Sequence, residues 1–554
     1  MRKLFIAAAA VLAAVFLYVL ATLPPRPQRA PDGVQQDVVR RTIAGAYHVH
    51  STVSDGSATR DAVAAAAAQA GLQFVVFTDH GDGMRVPDPP RYAHGVLCLD
   101  AVEISTNGGH YVALDMRRAE YPLGGDASAV VEDVRRLGGF GIAAHPYSNK
   151  LELAWTDWNA PVDGLEWLNA DSEWRDESGW QLARLPLYIL VRPGPALASI
   201  LDRPATAISR WDDLAARRPL VALAAHDAHG GMGSDAFRIP LLPSYESSFR
   251  TFAIRAIVAT PLTGSANDDA RVLIDAIRRG RVFTAIDSIA TPAYLQFSAS
   301  LDSDDAEMGD SLPFQSGIEL VARASVPPGA ALVLICGGEE VAQASGGELR
   351  YRPTGATACR PEVRVPGSPG TPPIPWIAGN AIHLLTPLFE PIGREPLFEI
   401  VRQVNESPWV IEKDVGSQGS LTPIDNGWSL QYRLKEGSRT SQYVAAAAAL
   451  DPPTPEFDRI LFTAESQAPA RVSVQLRFQN GQRWVRSFYV ETDPRRVIVP
   501  LEELVAADAP SAKPDFRQAT SLLFVVDLTN TLPGSEGWVT ISDVSFARSL
   551  GVGR

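Results

Sequence analysis

Between residues 42 and 289 the chain switches repeatedly between two hydrophobic patterns. Short, wholly apolar runs read as strands buried on both faces, and longer stretches with apolar residues every three or four positions read as amphipathic helices. Strands are predicted at 44–49, 74–77, 96–104, 111–115, 141–144, 164–168 and 220–225. Helices are predicted at 59–70, 127–137 and 268–279, the last two closed by Gly138-Gly139 and Gly280. Residues 174–216 read as mixed helix and loop. Strand alternating with helix predicts an α/β domain over 42–292.

The alternation stops near residue 294. Runs at 318–324, 331–335 and 349–351, parted by Gly and Pro turns, predict a small β-sandwich over 293–405, with a proline-rich stretch from Pro366 to Pro373. Over 406–554, alternating runs at 459–462, 471–478, 484–490, 497–499, 521–527 and 538–546 predict a second all-β unit, a jelly-roll sandwich. Its Trp409, Trp428, Tyr432, Trp484 and Trp538 are candidate stacking faces for polysaccharide, or else core aromatics.

At the start, Arg2 and Lys3 precede an apolar stretch ending at Pro24-Pro25. Its length approaches that of a spanning helix, so residues 1–23 are expected to be a signal anchor and 24–41 a linker. The expected location is therefore extracytoplasmic in a bacterial cell envelope, held in the inner membrane by this helix, or secreted if it is cleaved.

A net charge of -13 argues against a nucleic-acid partner. The three cysteines form no CxxC pair, which argues against a thiolate zinc site. Cys336 and Cys359 are either a disulfide across neighbouring strands or two free core residues, and Cys98 is a buried strand residue.

The histidines change the picture most. Of nine, eight lie between His48 and His229. His50, His80, Glu103, His145 and Asp227 each fall at or just past the end of an apolar strand, where α/β folds place their chemistry. Residues i and i+2 of a strand share a face, which pairs His48 with His50 and Asp227 with His229 and turns His226 away. Imidazoles and carboxylates together bind zinc, manganese or iron, and so many donors in one domain point to more than one ion. Such sites usually perform hydrolysis.

His48-x-His50 with Asp55-Gly56, Phe77-Thr78-Asp79-His80, Glu103, Ala144-His145-Pro146 and Asp227-x-His229 together resemble the motifs of the polymerase-and-histidinol-phosphatase (PHP) superfamily. The resemblance covers residues 42–290. It implies a distorted (β/α)7 barrel with two or three divalent ions (Zn, Mn or Fe) at its mouth. One ion would take His48, His50, Glu103 and Asp227. A second would share Glu103 and add His110 and His145, and a third would take Asp55, His80 and His229. Glu103 and Asp227 would serve catalysis directly, while Asp79 would orient a neighbouring imidazole. The implied activity is hydrolysis of a small-molecule ester, first a phosphoester, with Arg85, Arg91, Lys150 and Arg238 as candidate phosphate holders. The alternative within the fold is an extracytoplasmic carboxylester, carbamate or amide hydrolase. A different class, a cell-surface glycan-binding protein with a vestigial barrel, is disfavoured by the intact ligand set.

Overall fold

The computed structural model describes residues 2–175, 177–234, 237–240, 243–301, 304–386, 398–404, 408–437, 441–507 and 512–550. Strand exceeds helix, at 40% against 19% of residues. The chain packs as two compact units. The first comprises residues 1–81, 86–117 and 134–388, and the second 82–85, 118–133 and 389–554.

In the first unit the apolar runs form strands β1 (Thr42–Val49), β2 (Phe74–Phe77), β3 (Val96–Asp100), β4 (Val102–Thr106), β5 (Gly109–Leu114), β6 (Phe140–Ala143), β7 (Gly164–Asn169), β8 (Val221–Ala225), β9 (Ala253–Ile257) and β10 (Val282–Ala285). One sheet runs β8-β7-β6-β5-β4, and a larger one contains β10-β9-β1-β2-β3. Main-chain hydrogen bonds join the two sheets. At one junction His226 N donates to Tyr47 O at 3.0 Å and His50 N to Ala228 O at 3.0 Å. At the other, Gly81 N donates to Glu103 O at 3.1 Å and Glu103 N to Asp79 O at 3.3 Å. Both junctions lie at metal-type residues.

The apolar stretch at the start forms helix α1 (Arg2–Thr22). Among the described residues no helix is long and apolar enough to cross a membrane, which overturns the expected inner-membrane anchor and the localisation built on it. The last turn of α1 packs on its own chain instead. Val19 is buried with Leu185, Tyr188, Ile189, Ala196, Leu197 and Ile200, and Thr22 Oγ1 lies 2.7 Å from Tyr188 Oη. Helix α2 (Arg60–Gln69) begins where Thr59 caps Ala62 N, and it buries Val63, Ala64 and Ala67 on the sheet.

The expected boundary at residue 292 does not divide the sheet. Strand Ile377–Gly379 pairs antiparallel with β10, and Thr357–Arg364 pairs with it in turn. The Asn380 side chain bonds both Ala222 N and Ala222 O, so main-chain groups of β8 are satisfied from this region. Cys336 and Cys359 lie opposite each other in antiparallel strands and form a disulfide, and Cys98 is free and buried.

Helix α3 (Ala127–Arg136) is divided between the two units, and α4 (Ala205–Ala215) belongs to the first. Arg360, fully buried, bonds Asp212 on α4 through two nitrogens at 2.7 and 3.0 Å and Glu362 at 2.6 Å. Arg203 adds a second cation to Glu362 at 2.7 Å. Burial alone would raise the Glu362 pKa, but the charges of Arg360 and Arg203 pull it down to about 2.

The second unit contains two six-stranded sheets, antiparallel in every pairing described. One carries Glu536–Ser549 between Gly427–Arg433 and Arg459–Ser466, and the other carries Ala519–Asp527 between Tyr443–Ala449 and Ala470–Phe478. They enclose a core that includes Trp428, Phe462, Leu476, Trp484, Phe524, Ile541 and Phe546, a β-sandwich arrangement. Trp428 and Trp484 are therefore core residues rather than stacking faces. Trp409 packs against Trp428 and Phe524, with ring centroids 5.2 and 5.7 Å away. Residues 118–133 join this unit through buried ions. Arg471 holds Asp133 at 2.8 Å and Glu132 at 2.9 Å, and Arg486 holds Asp126 at 2.7 Å.

Two stability outcomes follow. A depressed carboxylate pKa contributes stability that is complete above its unfolded value and is lost as pH falls through the folded one. Glu362→Gln is therefore expected to cost about 3 kcal/mol at pH 7. The gap from wild type should shrink as pH falls from 4.5 toward 2, read from urea unfolding at stepped pH. Arg471→Met leaves Asp133 buried without its main cation and should cost about 3–5 kcal/mol. Adding Asp133→Asn should recover part of that loss in the same assay.

Candidate metal centre

The cluster is built where strands end. His48 sits near the end of β1 at φ 61°, His145 follows β6 at φ 28°, and Asp227 follows β8 at φ 46°. A residue with a Cβ in the left-handed region costs of order 1–3 kcal/mol, and it persists where the surroundings over-determine it. The β1–β2 register shifts between Ala46 and Val49, so simple strand alternation does not hold across His48. The bend still brings His48 Nε2 within 3.1 Å of His50 Nε2.

Glu103, on β4, is the hub. Its Oε1 lies 2.7 Å from His110 Nδ1 and 2.8 Å from His145 Nε2. Its Oε2 lies 3.2 Å from His48 Nε2, His50 Nε2 and His80 Nδ1. Five imidazoles thus face one buried carboxylate, divided between its two oxygens. Asp227 Oδ1 closes the first set, 3.5 Å from His48 Nε2 and 3.3 Å from His50 Nε2. Asp55, His80 and His229 lie together at the exposed side, with Asp55 Oδ2 3.2 Å from His229 Nε2 and 3.7 Å from His80 Nε2. His50 reaches this set too, its Nδ1 being 3.3 Å from Asp55 Oδ1.

The donor set fits divalent metal. Nitrogen and oxygen ligands about 2.0–2.1 Å from a tetrahedral zinc lie roughly 3.3 Å from one another. The donors of His48, His50, Glu103 and Asp227 are separated by 3.1–3.5 Å in the five pairs just given. Four groups, His48/His50/Asp227, His48/Glu103/His145, His80/Glu103/His110 and His50/Asp55/His80/His229, each keep their donor atoms within 4.8 Å of one another. Together these sets contain every ligand expected from sequence. His48, His50 and His80 each face two sets, where the sequence reading gave each a single ion.

Electrostatics tie the donors together. Burial opposes ionisation of Glu103, but the surrounding imidazoles, His48 first, hold its pKa well below the usual carboxylate range. Burial likewise opposes charge on His50, but bonds to Asp227 and Glu103 prevail and raise its pKa to about 9. Asp55 is held low against burial by His229, His50 and His80. The carboxylates therefore stay ionised and seek cations.

Outside the donors lies a second layer that the sequence reading missed. Glu166, on β7, takes His48 Nδ1 at 2.6 Å, and its other oxygen accepts His145 N at 2.7 Å and Asn169 Nδ2 at 2.9 Å. Asn169 Nδ2 also reaches Asp227 Oδ2 at 3.3 Å. A carboxylate inside the wholly buried strand Gly164–Asn169 was the available signal. Asp79 departs from its expected role. It accepts from Ser51 N at 2.7 Å, from the Ser51 and Ser54 hydroxyls, and from Arg60 Nη2 at 2.8 Å, rather than from an imidazole. It fixes the turn after His50, whose Ser54 in turn lies 3.4 Å from His50 Nδ1.

The histidines set aside from sequence stay aside. His226 faces the carbonyls of Tyr47 and Phe252, and burial lowers its pKa to about 4. His94 pairs with Asp61, and His383 faces Ala215 O. Of the phosphate-holding candidates, Lys150 is exposed just beyond His145, Arg91 pairs opposite Cys98 on an edge strand, Arg85 lies in the second unit, and the Arg238 side chain lies outside the described residues.

No family model matches this chain, and no curated protein matches it. Among solved structures it is similar to the family 11 carbohydrate-binding module of the cellulosomal cellulase Lic26A-Cel5E of Clostridium thermocellum. That likeness has 14% identity and a TM-score of 0.23, and covers 28% of this chain and 96% of the module. It is also similar to a mutant family 29 carbohydrate-binding module, at 10% identity over 28% of this chain and 94% of that one, with a TM-score of 0.19. An exo-beta-agarase is similar at 12% identity over 26% of this chain and 24% of its own, with a TM-score of 0.19.

Proposed function

We propose that this chain is a metal-dependent hydrolase of PHP type that cleaves a phosphate ester with an activated water. The observation that carries this reading is Glu103, a buried carboxylate with both oxygens turned to imidazoles. What supports a distorted seven-stranded barrel is the run of pairings through β1, β2, β3 with β4, β5, β6, β7 and β8, returning to β1 at Ala228. The antiparallel placement of β5 accounts for the distortion.

His48, His50, Glu103 and Asp227 would hold one ion. His110 and His145, on Glu103 Oε1, would hold a second, and Asp55, His80 and His229 a third. Bound dications would lower the pKa of a coordinated water and offset charge developing on the substrate. The chain's own contribution is orientation. Glu166 fixes the His48 ring so that Nε2 faces the donors, as a carboxylate behind a metal-binding imidazole does. Asn169 orients Asp227, and Asp79 with Arg60 holds the turn that carries Asp55.

A second reading, carboxylester, carbamate or amide hydrolysis, draws on the cavity beside His145, whose lining cation Arg203 is already paired with Glu362. In the C-terminal unit, polysaccharide contact would fall to Tyr432 and Trp538, which stay half-buried.

Two experiments test the proposal. Purified protein reconstituted with Zn, Mn or Fe should carry two or three equivalents by elemental analysis. Glu103→Gln should carry one or none and lose hydrolysis of a chromogenic phosphoester, and full metal content in that variant would refute the hub role. Glu166→Gln should weaken metal binding by about 10–100-fold, read by competition with a chelator, while leaving thermal unfolding of the second unit unchanged.

A further inference from the structure

A cavity of about 280 Å3 opens beside His145. It is bounded by the turn Tyr147–Asn149, the end of β7 with Ser172 and Glu173, the start of α4, and Thr371 from the proline-rich stretch. The volume is close to the lower end of ligand pockets, about 300 Å3. Its outer wall is fixed by Thr371 N donating to Asp202 Oδ1 at 2.6 Å and by Arg203 N donating to Pro372 O at 3.0 Å.

The charged groups lining this space are committed to the protein. Glu166 serves His48, His145 N and Asn169, Glu173 accepts from Asp202 N at 2.8 Å, and Arg203 pairs with Glu362. The Tyr147 hydroxyl accepts from Arg210, which leaves Asn149 and the Thr206 hydroxyl, both exposed at the rim, and the half-buried Ser172 hydroxyl, all neutral and able both to donate and to accept. The lining imidazole of His145 is turned to Glu103, so an anion would meet the carboxylates of Glu166, Glu173 and Asp202 beside a neutralised arginine. An alkyl group would displace water from these polar groups and return no hydrogen bonds.

We infer that this cavity receives the neutral, hydroxyl-bearing alcohol portion of the ester, a polyol or sugar, while the scissile group faces the histidine cluster. Asn149, Ser172 and Thr206 are then specificity-determining residues. This inference rests on the hydrolase reading above.

The test uses the full chain reconstituted with metal and four phosphate monoesters that share one scissile bond: glycerol phosphate, methyl phosphate, phosphocholine and phosphoglycerate. The expected result is a kcat/KM for glycerol phosphate at least about tenfold above the other three. Thr206→Trp, which fills the cavity, should collapse that preference toward unity, with folding checked by circular dichroism. A preference for phosphocholine or phosphoglycerate, or an unchanged preference in Thr206→Trp, would overturn the assignment. A second arm does not need turnover: saturation-transfer NMR of glycerol and methyl glucoside on the metal-free chain should show contact that Thr206→Trp removes. If wild type cleaves none of the esters, the hydrolase reading fails by itself, and the NMR arm alone decides whether the cavity is a polyol site. Absence of transfer to wild type overturns that as well.

Discussion

Glu103 has to be satisfied, and much of the first unit is arranged around that need. A carboxylate sealed from water costs several kcal/mol unless cations or donors surround it. Here five imidazoles supply them, arriving from the ends of β1, β2, β5 and β6. Bringing side chains from four strands onto one carboxylate fixes where β1, β2 and β6 stop and where β5 starts. It also explains why the main-chain links between the two sheets lie at His48, His50, Asp79 and Glu103 themselves. The left-handed backbone at His48, in the irregular end of β1, and at His145 and Asp227, just past β6 and β8, turns these side chains into the same cluster.

Much of this was legible in the sequence, though not always for the reason first apparent. Strand positions could be read because wholly apolar runs such as Phe74–Phe77 have few other uses. The donor cluster could be read because His or Asp follows several of these runs. The pairing of His48 with His50 rested on strand alternation, whereas the structure achieves it through a bulge and a left-handed residue. Glu166 was overlooked because it does not follow a strand but sits inside one, so its polarity looked like noise in an apolar run. Asp79 was placed in the right neighbourhood with the wrong partner, since sequence gives no sign that Ser51 and Arg60 converge on it.

What sequence could not supply were the contacts between distant segments. Arg471 and Asp133 are 338 positions apart, and Arg360 and Asp212 are 148 apart. Each arginine occupies a strand position whose local pattern is ordinary. The sheet crosses the boundary expected at 292 for the same reason: a change of pattern from α/β to all-β marks a change in local architecture, and one short strand, Ile377–Gly379, carries the pairing past it. The N-terminal apolar stretch was read by length and hydropathy alone, which cannot anticipate that Val19 finds partners around Tyr188.

The two layers of the cluster divide the work in a way that bears on how metal would be gained. The inner donors repel or attract one another according to protonation, so alone they would hold no fixed arrangement. The outer layer removes that freedom. Glu166 locks one ring and one backbone amide, Asn169 locks a carboxylate, and Asp79 with Arg60 locks the turn bearing Asp55. These contacts are all made by the chain itself and need no ion. The donor spacings of 3.1–3.5 Å are thus already close to those of a coordination sphere. In such an arrangement the outer layer bears part of the cost of ordering the donors. Glu166 thus sets the orientation of the His48 ring and of the His145 backbone amide, neither of which the inner donors could fix by themselves.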